Sequence, residues 1–107
     1  MVDKKYRTKE TYLDAGAAMR LLKDAGAKAA CEAGKVLSAK DNDKLIKALH
    51  VIDEACSRAE DNMFSDHPEL NDDALDVFYG ALDLGARNET DAQVKAKAKE
   101  MADGFFA

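Results

Sequence analysis

The chain has 107 residues, 47% of them apolar and 35% charged, which suits one folded domain and argues against disorder. One Pro, six Gly, abundant Ala and no stretch alternating with period two favour helix over strand. The net charge of −5 counts against direct nucleic-acid binding, and no apolar run approaches the ~18–20 residues of a membrane span.

Met1 to Lys9 is basic, with Lys4, Lys5, Arg7 and Lys9 around Tyr6, and residues 1–8 read as a flexible N-terminal segment. Thr8 or Thr11 caps a first helix that runs from about Thr8 to Asp24 or beyond. Thr11, Ala15, Ala18, Leu22, Ala25 and Ala29, flanked by Met19 and Leu21, form its expected inward stripe. Small side chains let a neighbouring helix approach closely, so this helix is expected near the bundle centre. The tetrapeptide Asp-Ala-Gly-Ala occurs at Asp14–Ala17 and again at Asp24–Ala27. Ten residues leave the copies ~280° out of phase, so they are no helical repeat. Gly26 and Gly34 are both candidate ends, which leaves residues 8–38 as one helix or two.

Ser38 or Asp41 caps the second helix, about Lys40 to Met63. Leu45, Ala48, Leu49, Ile52, Ala55, Cys56, Ala59 and Met63 recur at spacings of three and four. Asp43–Lys47 and Glu54–Arg58 are favourable i,i+4 pairs on its outer side. Asn62 to His67 reads as a turn, with Ser65 or Asp66 as cap and Pro68 in the first turn of a third helix that Gly85 ends. Thr90 with Gln93 forms a capping box for the last helix, whose apolar stripe is Val94, Ala98, Met101 and Phe105. The terminal Phe105–Phe106 pair should dock on the core or on a second copy. The expected fold is all-α: an antiparallel bundle of four helices, five if Gly26 breaks the first.

The charge is unevenly spread. Residues 1–58 carry +3, residues 87–107 carry zero, and residues 59–86 carry −8 without one Lys or Arg. At about 100° per residue, a helix over Glu69–Leu84 gathers Glu69, Asp72, Asp73, Asp76 and Asp83 within one arc. Acids in the first turn complement the helix dipole, but Asp83 at the far end does not.

Motifs with chemistry are scarce. His50 and His67 lack the Glu-x-x-His spacing of a di-iron bundle, and Cys31 and Cys56 lack paired zinc-ligand spacing. Both cysteines fall on helical patterns and read as small buried hydrophobes in a reducing compartment. The acids around Asp72 do not follow the EF-hand register. His50 and Cys56 lie six residues apart, on different faces of a helix, so no dyad forms. There is no phosphate loop, nucleophile elbow or dinucleotide fingerprint. A helix-turn-helix reading fails because the helix that would enter the groove is acidic.

The expectation is a cytoplasmic, non-enzymatic module with no cofactor and no metal, binding a basic protein surface through Glu69, Asp72, Asp73, Asp76 and Asp83. One concrete form is an inhibitor that mimics nucleic acid, of mobile-element or antitoxin type. The alternative is a homodimeric bundle in which the acidic face is merely solvated.

Overall fold

The computed structural model describes residues 3–105 and is all-helical, with three α-helices. Helix α1 spans Lys9–Ala33, α2 spans Ala39–Asp66 and α3 spans Glu89–Gly104. Short 3-10 turns lie at Lys4–Tyr6 and Asp72–Asp76. Both α2 and α3 pack on α1, which is therefore the central element. Among the described residues no helix is long and apolar enough to cross a membrane.

Each helix starts on a side-chain cap. Thr8 Oγ1 accepts from Thr11 N, Ser38 Oγ from Asp41 N and Asn88 Oδ1 from Asp91 N. The first two are among the expected caps. The third replaces Thr90: Asn88 begins the helix two residues earlier, and Gln93 reaches Glu89 rather than closing a capping box.

Helix α1 is one piece of 25 residues. Gly26 does not break it. A Cβ there would stand 2.7 Å from Leu49 Cδ2, so the glycine sits where α2 comes closest. Gly34 ends the helix, its N–H bonded to Ala30 O. The N-terminal segment is tied down at Arg7, which pairs with Asp66 Oδ2 at 3.0 Å.

The expected bundle of four or five helices is corrected to three, because no α-helix forms over Glu69–Leu84. Helix α2 continues to Asp66, His67 ends it, and Pro68 lies in the following turn. The only regular piece between α2 and α3 is the turn Asp72–Asp76, and residues 77–88 run without helix. Two physical reasons stand out. Cationic side chains claim the carbonyls a helix would need: Arg20 binds those of Asp76, Gly80 and Ala81, Lys23 that of Phe78, and Arg87 that of Tyr79. Gly80 also has φ +131°, outside any right-handed helix.

The core comprises Tyr12, Ala17, Cys56, Met63, Ala74, Val77, Phe78, Val94 and Ala98. Within the non-helical run, adjacent Val77 and Phe78 are both buried. Phe105 is 68% exposed, so it does not dock on the core; Phe106 lies outside the described residues.

The inward stripe expected on α1 is also corrected. Tyr12, Gly16, Ala17 and Arg20 are the buried residues of α1, whereas Thr11, Ala15, Ala18, Leu22, Ala25 and Ala29 are all exposed. Ridge spacing identified a real stripe and could not say which of two apolar faces turns inward. Gly16 decides it, because Val77 packs directly on its backbone with no room for a Cβ. From Leu21 to Ala55 no residue is buried, so the outer half of the α1–α2 hairpin projects beyond the core. That gives a body of 47 × 27 × 26 Å.

Candidate partner-binding surface and the arginine beneath it

The acidic segment is organised by Arg20, which is 1% exposed. Its Nε donates to Gly80 O at 3.0 Å, Nη1 to Asp76 O at 3.0 Å, and Nη2 to Ala81 O at 3.1 Å. Nη1 also meets Asp91 Oδ1 at 2.7 Å, an ion pair with both side chains buried. One guanidinium thus joins α1, the non-helical run and α3. Arginine suits this role because its planar fork offers five donors on a charge that is always present.

Asp91 is satisfied on both oxygens, since Oδ2 accepts from the Arg87 N–H at 2.9 Å. Burial by itself would raise its carboxyl pKa. The Arg87 N–H and the Arg20 guanidinium outweigh that and hold it below the ordinary value of 3.8. Arg87 reaches outward as well, to Asp76 Oδ1 at 2.6 Å and to Tyr79 O at 3.1 Å. Asn88 Nδ2 donates to Asp76 Oδ2 at 2.5 Å.

A second polar cluster secures the opposite end of the segment. The Tyr12 hydroxyl donates to Asp66 Oδ2 at 2.5 Å; desolvation first, and this carboxylate second, push the phenol up to about 12. His67 Nε2 lies 2.8 Å from Arg7 O, and its ring meets Tyr12 edge-on. A third contact holds the middle: Lys23 Nζ donates to Phe78 O at 2.6 Å and stands 4.2 Å over the Tyr79 ring.

The five acids therefore do not share one face. Asp76 is half-buried and neutralised by Arg87 and Asn88. Glu69 is exposed and meets Lys9 Nζ at 3.3 Å and His67 Nδ1 at 3.5 Å. Its carboxyl is held low, first by its own backbone N–H. Asp72 and Asp73 stand together and exposed at the start of the 3-10 turn, where Asn71 Oδ1 accepts from Asp73 N. Asp83 is exposed on a bend. Among the described residues, Asp72, Asp73 and Asp83 enter no ion pair.

Other singled-out residues have ordinary surroundings. His50 is exposed. His67 is half-buried rather than exposed as a pre-proline residue would suggest. Cys56 is fully buried, and burial pushes its thiol up. Cys31 is exposed, contrary to the expectation of two buried thiols, because it lies on the projecting part of α1. Among the described residues no three His, Cys, Asp or Glu side chains gather as a metal site would need.

Arg20, Arg87, Asn88 and Asp91 did not stand out in the sequence. Arg20 did carry a signal: it shares a face with Leu13, Gly16 and Ala17, an apolar register that a solvated arginine would avoid. Asn88 and Asp91 carried the other, a capping residue with an acid three positions on.

The fold and surface define a small all-helical unit whose acidic, non-helical segment is braced from beneath. Searches of protein-family models, curated proteins and solved structures found no match to the chain.

Proposed function

We propose that the protein is a non-enzymatic binding module that presents its acidic segment to a basic surface of another protein. The observation that carries this reading is the state of Asp72, Asp73 and Asp83. These three carboxylates are exposed and unpaired among the described residues, on a segment anchored by the buried Arg20. A braced loop loses little conformational freedom on binding, so more of its contact energy appears as affinity. Unpaired carboxylates offer charge without first breaking an internal pair. Glu69 contributes at the margin, where Lys9 partly offsets it. Asp76 belongs to the bracing rather than to the contact surface.

A basic partner of this kind is a nucleic-acid-binding protein, whose phosphate-binding groove an acidic epitope would occupy. The test compares wild type with a D72N/D73N/D83N variant as bait in a host lysate, at low and high salt. The expected result is a basic protein held by wild type, lost with the variant and lost at high salt. Equal capture by both baits refutes the proposal.

A further inference from the structure

We infer that the uncovered side of the α1–α2 hairpin is the interface of a symmetric dimer, its occupant being a second copy of this chain. This surface faces away from the core and is separate from the acidic segment.

The face is built by two helices. Helix α1 contributes Ala15, Ala18, Leu22, Ala25 and Ala29; α2 contributes Ala48, Val51 and Ala55, with half-buried Ile52 between the helices. Leu22 is 45% exposed and Val51 61%. From Thr11 to Ala29 the α1 row spans about 27 Å, and two helices at ordinary spacing are about 18 Å wide. Two such faces together cover about 1,000 Å², the lower bound for a specific interface. The alanines permit close approach of helix backbones, so that area can be filled.

Charge selects the occupant. The margin of the face on α1 carries Asp14 and Glu32, while the margin on α2 carries Lys40, Lys44, Lys47 and Arg58. Lys28 points further round the outer side of α1, while Asp43 and Glu54 stand beside Lys47 on α2 and leave that margin with two positive charges in excess. Gly26 lies against Leu49 and Gly34 against Asn42, which puts Glu32 level with Lys44 and Asp14 within about one turn of Arg58. A two-fold axis parallel to the helices lays α1 of one copy over α2 of the other. Each acidic margin then meets a basic margin at matching height, and all neighbouring helices run antiparallel. The present partner of Asp14 is Lys97, those of Glu32 are Lys28 and Lys35, and that of Lys47 is Asp43; surface pairs of this kind exchange at little cost. Residues 21–54 hold six lysines and six acids, so the projecting half is neutral and the charge of −5 lies elsewhere. Two copies meeting here do not bring their net charges together. A basic partner or an anionic surface would find no net attraction on this face.

The test measures mass by sedimentation equilibrium over a concentration series, with far-UV circular dichroism to verify that each variant stays helical. Wild type is expected at twice the 11.6 kDa chain mass. The A18E/A25E variant alters two exposed helical positions and should fold normally yet dissociate about 100-fold more readily. Glu32→Lys or Lys44→Glu alone should each weaken the dimer about tenfold, and the E32K/K44E variant should recover it. The D72N/D73N/D83N variant should dimerise like wild type. A monomer throughout the series, a dimer indifferent to A18E/A25E, or no recovery in E32K/K44E overturns the inference.

Discussion

Replacing Arg20 with methionine removes the charge while keeping much of the side-chain volume. It takes from Asp91, whose side chain is 2% exposed, its close guanidinium and leaves only that of Arg87, 3.9 Å away. Breaking a buried pair from one side costs about 3–5 kcal/mol. The carbonyls of Asp76, Gly80 and Ala81 also lose their donor. Each buried acceptor left bare costs about 1–3 kcal/mol, though water reaches some of them once the run loosens. A loss of about 4 kcal/mol or more is expected, against a total of about 5–15 kcal/mol for a domain of this size. Urea denaturation followed by far-UV circular dichroism measures it, and amide hydrogen exchange should show faster exchange over residues 76–91. An R20M/D91L variant should regain part of the loss, because no charge is then stranded, but not the part belonging to the three carbonyls. Stability within about 1 kcal/mol of wild type for R20M, with unchanged exchange, would refute the assignment of Arg20 as the brace.

Three glycines separate close packing from helix propensity. Gly16→Ala drives a Cβ into the Val77 backbone and should cost about 2–3 kcal/mol. Gly80→Ala adds a Cβ 2.9 Å from Arg20 Nη2 at a φ of +131° and should cost at least about 2 kcal/mol, whereas Gly26→Ala meets only the tip of Leu49 and should fall within about 1 kcal/mol of neutral. Denaturation midpoints of the three variants check that order. The Asp91 carboxyl is held below 3.8, so its contribution is fully present above that pH and is lost as pH falls through the lower folded value. Acid titration of stability should therefore show a fall below about pH 4 that is shallower in Asp91→Asn.

Local rules explain what was legible in the chain. The caps at Thr8 and Ser38, the end at Gly34 and the long run of α2 rest on interactions within a few residues. Those interactions are written in neighbouring side chains, so spacing and cap chemistry suffice to read them. The same reading erred over Glu69–Leu84, where the apolar and acidic residues do fall on opposite sides of a wheel. Periodicity there was outweighed by contacts some sixty residues distant, from Arg20 and Lys23 to Asp76, Phe78, Gly80 and Ala81.

By itself the sequence determined an all-helical chain, the starts of its first two long helices to within a few residues, and a concentration of acids after residue 58. Only the tertiary structure decided which face of α1 is buried, which acids are free and which are neutralised, and that the acidic segment is not a helix. The physical reason is common to all three. Each depends on a partner outside the local helical period: Val77 on Gly16, Arg87 and Asn88 on Asp76, and Arg20 and Lys23 on the carbonyls of the run; such partners leave no period in the local pattern.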